Sequence, residues 1–408
     1  MRPITQSSKL AGVRYDVRGP ILQEAERLEQ AGHEILKLNI GNPAPFGFEA
    51  PPEIVEALRQ ALPVAQGYSD SRGILPAREA VARHYTELGV ADVSPEHVLI
   101  GNGVSELISL VLQALVSPGD EVLVPSPDYP LWTAQVTLSG GRAVHYPCDE
   151  TNGWMPDLAA IEELVTPATK GIVLINPNNP TGAVYSAELV RGFAALAERH
   201  GLVLMADEIY DHILYDDATH EYAALHATET LCLTFSGLSK VQRVAGYRSG
   251  WVVASGNRDI AVDFLEGLTL LANMRMCANV PGQYAIPAAL SPDSNWSGIA
   301  ELCQPGGRLR DQRDVAHGLL SEIEGVSCVL PGGAMYLFPK HDPARFPIQD
   351  DQHFVIELLR ATRVMVTNGR GFNLATPDHL RFVTLPRVPV LAEAISRIAA
   401  YLETVRVD

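Results

Sequence analysis

Ser239-Lys240 follows the short apolar run Leu231-Cys232-Leu233-Thr234-Phe235, and Arg248 stands eight residues beyond the lysine. A run of this kind is a buried strand, which delivers the lysine to the loop after it. A lysine amine can condense with an aldehyde to a Schiff base, and an arginine can hold a phosphate on the same molecule. Alone the pair says little, because most Ser-Lys pairs are solvated surface. Two further blocks also close apolar runs: Asn176-Pro177-Asn178-Asn179-Pro180-Thr181-Gly182 and Asp207-Glu208-Ile209-Tyr210. Gly103-Val104-Ser105 opens a helical pattern after the run ending at Ile100. Free N–H groups at a helix start bind phosphate, and a serine adds its hydroxyl. The plainer reading of Ser105 is a helix cap, and of Asp207-Glu208 a cap with a first-turn acid. Arg381 lies among apolar residues in His379-Leu380-Arg381-Phe382-Val383-Thr384-Leu385-Pro386 and needs an anion. Its planar fork suits a carboxylate, of a ligand or of a structural salt bridge.

These residues need a frame. Strands are predicted at His97–Ile100, Glu121–Val124, Ala143–Tyr146, Gly171–Ile175, Leu202–Ala206, Leu231–Phe235 and Trp251–Ala254. Helical periodicity fills stretches between them, as in Ser105–Leu115 and Glu188–His200. The alternation predicts an α/β fold, a mostly parallel central sheet flanked by helices on both faces. Ligands of such sheets bind beyond the carboxyl ends of the strands, where Asn176, Asp207 and Ser236 all fall. The C-terminal part reads as a smaller α+β domain over 301–408. It has helices at Arg308–Glu322, Asp351–Arg360 and Leu391–Leu402, and strands at Val329–Phe338 and Leu380–Thr384. Residues 51–300 form the large domain.

The chain has 408 residues, enough for a large core and two domains. A net charge of −17 argues against a nucleic-acid surface, which needs a basic stripe. Five scattered cysteines lack C-x-x-C or metal-ligand spacing, so reduced thiols in the cytoplasm are expected and no metal site. No apolar signal core is visible. The longest membrane candidate, Leu107 to Val116, is too short.

The three blocks around Asn176, Asp207 and Lys240, in that order, resemble the fold-type I aminotransferases, which use pyridoxal 5′-phosphate. The resemblance runs over nearly the whole chain. Ser8-Lys9-Leu10, Tyr15-Asp16-Val17-Arg18-Gly19-Pro20 and Leu38-Asn39-Ile40-Gly41-Asn42-Pro43-Ala44-Pro45-Phe46-Gly47-Phe48 narrow it to the bacterial glutamate–pyruvate (alanine) aminotransferases. So do Gly101-Asn102-Gly103-Val104-Ser105-Glu106-Leu107 and Cys277-Ala278-Asn279-Val280-Pro281.

The resemblance implies a role for each residue. Lys240 holds the cofactor and then moves the substrate proton, for which its amine must be neutral. Asp207 pairs with the protonated pyridine nitrogen and keeps the ring an electron sink. Tyr210 and Asn179 donate to the ring 3-oxygen, Tyr129 stacks on the ring, and Gly103, Val104, Ser105 and Arg248 take the phosphate. Tyr68 reaches across a homodimer to the partner's phosphate, so the active sites are shared. Arg381 binds the substrate α-carboxylate, helped by the Gly41 N–H and the Asn179 amide. Residues 1–50 return to pack with the small domain. One position departs: relatives carry Ser or Thr three residues before the lysine, where this chain has Gly237. Ser239, or else Ser236, replaces that contact.

Aspartate-specific relatives place an Arg for the second carboxylate where this chain has Met274, and Arg275, one step on, points elsewhere. A small apolar substrate side chain is therefore expected, with alanine as donor to 2-oxoglutarate by a ping-pong route. Arg18 or Tyr15 then serves the distal carboxylate of glutamate. Other readings are a different donor preference (aspartate, valine or an aromatic), a lyase or decarboxylase on the same scaffold, and a transcriptional regulator carrying such a module. Those regulators have a basic winged-helix segment ahead of the module, whereas this sequence opens almost directly on the enzyme blocks.

Overall fold

Strand-forming runs dominate the middle of the chain, and they assemble into one sheet of eight strands. The computed structural model describes residues 3–13, 19–292 and 297–407. The strands are β1 (Val98–Asn102), β2 (Glu121–Ser126), β3 (Arg142–Asp149), β4 (Met155–Pro156), β5 (Thr169–Ile175), β6 (Val203–Asp207), β7 (Leu231–Gly237) and β8 (Ser249–Gly256). Their spatial order is β1-β8-β7-β6-β5-β2-β3-β4. The neighbours from β7 through β3 pair in parallel, while β8 runs antiparallel between β7 and β1.

Side chains alternate across this sheet, and both faces are buried. In β5, Ile172 and Leu174 join one apolar cluster with Val190, Phe193 and Leu196 of the helix Ala187–His200. Val173 and Ile175 point the other way, into a cluster with Ile108 and Val111 of the helix Val104–Leu115 and Leu268 of the helix Val262–Met274. The near-continuous apolar runs in the sequence reflect this double burial. Among the described residues no helix is long and apolar enough to cross a membrane.

A third cluster joins the two ends of the chain. Ile21, Ala25, Leu28, Leu38 and Phe48 pack with Phe354, Leu358, Val364, Ile395 and Ile398. Leu36–Lys37 pairs in parallel with Val364–Met365. The long helices here are Arg308–Ser321, Asp351–Thr362 and Val388–Val405.

Three of the short strands in this region form a sheet of their own: β9 (Tyr336–Leu337), β10 (Thr367–Asn368) and β11 (Leu380–Val383), in the order β9-β11-β10. The strand expected over Val329–Phe338 is thus mostly not a strand. Its first half crosses the chain at 213–215, where Tyr215 N donates to Gly332 O and Ala334 N to Ile213 O. Pro331-Gly332-Gly333 turns there instead of entering a ladder. Pro177 side-chain atoms and Ile213 O come within 2.9 Å of where a Gly333 Cβ would stand, so only glycine fits.

Candidate active site

The carboxyl ends of β5, β6 and β7 open on a cavity of about 630 Å³, within the range of small-molecule sites. Gly41, Val104, Ser105, Tyr129, Asn179, Asp207, Tyr210, Ser239, Lys240, Arg248 and Arg381 all line it. The structure therefore brings together residues spread over 340 positions of sequence.

Lys240 Nζ donates to the carbonyl of Gly41 at 2.6 Å and lies 5.7 Å from the centre of the Tyr210 ring. Gly41 tolerates no side chain, because a Cβ would overlap the hydroxyl of Tyr336. That hydroxyl is 2.6 Å from the hydroxyl of Tyr210. Burial and the neighbouring Tyr336 both push the Tyr210 phenol above its usual range, so Tyr210 stays protonated and able to donate. Tyr336 lines the cavity but was absent from the sequence reading, which took it as part of a strand. A tyrosine in an apolar run needs a partner for its hydroxyl, and that was the available signal.

Asp207 ends β6, and no helix follows it, so the capping alternative does not apply. Its carboxylate is buried. Oδ2 accepts from the indole N–H of Trp132 at 3.1 Å, while Oδ1 has no hydrogen-bond partner. Burial raises its pKa to about 6, against the lowering effect of Trp132 and the Ile209 backbone N–H. A buried carboxylate oxygen left unpaired in the wall of a cavity is costly unless a ligand donor meets it. Trp132 also went unread, three residues past Tyr129. It is fully buried and packs edge-on against Phe235, 5.2 Å between ring centres.

At the other end of the cavity, the helix Val104–Leu115 starts at Gly103, which holds φ +77° and makes no side-chain cap. A Cβ at Gly103 would strike the Arg248 guanidinium. Arg248 donates to Ala245 O and Asn102 O, both at 2.8 Å, and is thereby fixed beside the helix start. Ser105 is not the cap, which leaves its hydroxyl for a ligand. Helix N–H groups, a serine and a guanidinium together form an anion site. Gly237 has a physical cause. It pairs with Gly250 across β7 and β8, and a Cβ there would lie 2.7 Å from Gly250 Cα and from Ser249 O. No side chain can stand at 237. Ser239 lines the cavity, whereas Ser236 is buried in β7.

Arg381 of β11 is buried. Its Nη1 donates to Asn179 Oδ1 at 3.1 Å and its Nη2 to Asn39 O. The rings of Tyr336 and Phe372 flank the guanidinium at 4.6 and 4.5 Å. Since Asn179 Oδ1 accepts from Arg381, its Nδ2 is assigned as the group free to donate. Arg275 is engaged elsewhere. It pairs with Glu106 at 2.6 Å and donates to Ser71 O and Ile100 O. Met274 is 72% exposed. Tyr68, 81% exposed, does not line the cavity of its own chain. Tyr15 and Arg18 lie outside the described residues.

An amine, a buried acid, an anion cradle and a buried guanidinium thus face one cavity. The family model of the class I and II aminotransferases matches residues 33–398, and the chain belongs to that family. It is 54% identical to the glutamate-pyruvate aminotransferase AlaA of Escherichia coli (strain K12), over 98% of each chain. It is 56% identical to an alanine aminotransferase of Mycobacterium bovis, over 99% of this chain and 94% of the relative. A crystal structure of an aminotransferase from Escherichia coli superposes with a TM-score of 0.96 at 54% identity, covering 98% of this chain and 99% of that one.

Proposed function

We propose that the protein exchanges an amino group between L-alanine and 2-oxoglutarate, giving pyruvate and L-glutamate, with pyridoxal 5′-phosphate as cofactor. The unpartnered Asp207 Oδ1 in the cavity of Lys240 carries the cofactor assignment, since it asks for a cationic N–H such as a protonated pyridine. The full-length relatives at 54% and 56% identity support the substrate pair.

Bound there, the cofactor supplies an aldehyde for amino groups and a ring that takes up the electron pair left at the substrate Cα. Lys240 would anchor it, and its amine is the group placed to move the substrate Cα proton. Asp207 would accept from a ring N–H and favour its charged form. Tyr210 and Asn179 Nδ2 would donate to a ring oxygen, and Tyr129 would lie against the ring. The Val104 and Ser105 N–H groups, the Ser105 and Ser239 hydroxyls and Arg248 hold the phosphate. Arg381, with the Gly41 N–H and Asn179, holds the α-carboxylate.

The absence of an arginine at Met274 favours a methyl side chain over a second carboxylate. Tyr15 and Arg18 are the residues proposed for the distal carboxylate of glutamate. Tyr68, exposed in the single chain, belongs on this reading to a homodimer with shared sites. The five free cysteines suit a cytoplasmic setting.

Half-reactions test this. Supplied with L-alanine alone, the cofactor-loaded protein should release one pyruvate per subunit and stop, then restart on 2-oxoglutarate. Continuous release of carbon dioxide and ethylamine from L-alanine without an oxo acid would identify a decarboxylase instead.

A further inference from the structure

Away from the cavity, four charged side chains from two parts of the chain close on one another. Glu150 stands in the turn after β3 of the large sheet. Lys340, Asp378 and His379 stand beside β9 and β11. Lys340 Nζ is 2.9 Å from Glu150 Oε2 and 3.8 Å from Asp378 Oδ2. His379 Nδ1 is 2.8 Å from Asp378 Oδ1, and its Nε2 is 3.4 Å from Glu150 Oε1. The His379 side chain is only 3% exposed. Phe338 stacks on its ring at 4.8 Å, and Trp154 meets it edge-on at 5.3 Å. Trp154 comes from the same connection as Glu150 and holds φ +67°, a conformation rare for a bulky residue.

The charges balance in one protonation state. Two carboxylates face Lys340 and the imidazole, so neutrality needs an imidazolium. A neutral imidazole has a single N–H, and its other nitrogen must turn a lone pair toward a carboxylate. Burial opposes the charge on His379, but its bond to Asp378 and the nearby Glu150 carboxylate, which its otherwise unpartnered Nε2 faces at 3.4 Å, outweigh it and raise its pKa. The other titratable neighbours do not switch near neutrality. Burial takes His341 down to about 4 and the Cys328 thiol, which faces Glu150, up to about 12.

Two routes lead from this cluster to Arg381. The first is the chain itself, since Leu380-Arg381 follow His379 into β11. The second is aromatic: Phe338 meets Phe372 at 6.0 Å, and Phe372 flanks the Arg381 guanidinium. We infer that His379 is a positioning residue: as an imidazolium bridging Asp378 and Glu150 it fixes the strand and the ring stack that aim Arg381, so that affinity for substrate carboxylates falls when it is deprotonated. This rests on the reading of Arg381 as the α-carboxylate site. A cationic group with a raised pKa contributes in full below its ordinary value, and the contribution is lost as pH rises through the raised one.

The test is KM for pyruvate and for 2-oxoglutarate across about pH 6 to 9, the span in which histidine titrates, with kcat measured alongside. In the wild type both KM values should rise roughly three- to tenfold together, in a step that kcat does not share. His379→Asn should start high and stay flat. Glu150→Gln lets a neutral imidazole satisfy both neighbours, so it should lose the step while keeping the low KM, and it serves if His379→Asn fails to fold. Wild-type profiles in both variants, or lowered melting temperatures with unchanged KM profiles, would overturn the inference. Arg381→Lys separates the two readings. An unchanged KM there sinks the carboxylate role of Arg381. A raised KM there, with the wild-type pH step intact in both cluster variants, sinks the role of His379 alone.

Discussion

Lys240→Ala is expected to lower kcat by at least about 10³-fold, toward the upper end of what proton transfer contributes, without emptying the cavity of cofactor. Lys240 carries the one amine among the cavity-lining residues. Its position is over-determined: the Gly41 carbonyl holds Nζ at 2.6 Å, and Gly41 is itself confined by Tyr336. Among the described residues no other amine lines the cavity to take over the anchoring or the proton. The anion cradle of Gly103, Ser105 and Arg248 and the Asp207 carboxylate are separate from the lysine, so pyridoxal 5′-phosphate should stay bound through them. Cofactor content after gel filtration, its absorbance spectrum and kcat together check this. Retained cofactor with a lost lysine-linked band and lost turnover is the expected set. Turnover at the wild-type rate would remove Lys240 from the mechanism.

Asp207→Ala should cost about 3 kcal/mol or more of transition-state stabilisation, on the order of a hundredfold in rate at roughly 1.4 kcal/mol per tenfold. The carboxylate is aimed by Trp132, and its other oxygen has no hydrogen-bond partner, which suits it to a ring N–H on the proposed reading. Removing it leaves the ring nitrogen without the charge that favours its protonation. The same variant has a second readout. In the cofactor-free protein the Asp207 carboxylate is buried with one oxygen unpaired, so its loss relieves a desolvation cost. The cofactor-free variant should therefore melt no lower than the cofactor-free wild type. A rate loss under about threefold, with a clear fall in melting temperature, would make Asp207 a structural residue.

Most of the sheet was legible because its strands are buried on both faces and read as unbroken apolar runs. The blocks that matter also sit at the ends of those runs, so Asn176, Asp207 and Ser236 could be placed beyond the carboxyl ends of the strands before any family likeness was drawn. Short pairings were not legible. Leu36–Lys37 and Val364–Met365 are two residues each, too short to show a period. The return of the N-terminal segment was expected from resemblance alone, since the cluster of Ile21, Leu28 and Leu38 with Phe354 and Val364 joins residues more than 300 positions apart. Val329–Phe338 misled because its apolar content lies at a crossing with 213–215, where single backbone bonds replace a ladder. Tyr336 and Trp132 were missed for one reason: each meets a cavity residue, Tyr210 or Asp207, from a distant stretch of chain through a hydrogen bond that no local spacing announces. The Gly237 departure was visible in the sequence, but its cause, the close approach of Gly250 and Ser249, was not.

The account is tested most directly by ranking amino donors against 2-oxoglutarate with the cofactor-loaded protein. On the proposed reading a second substrate carboxylate needs a cation at the place of Met274, which does not line the cavity of its own chain, and Arg275, the adjacent arginine, is committed to Glu106 and to two backbone carbonyls. Aspartate would leave its distal charge without that partner, which is expensive in a desolvated site, whereas alanine presents only a methyl group. The predicted result is a kcat/KM for L-alanine well above that for L-aspartate, with glutamate formed in step with pyruvate. A kcat/KM for aspartate equal to or above that for alanine would contradict it.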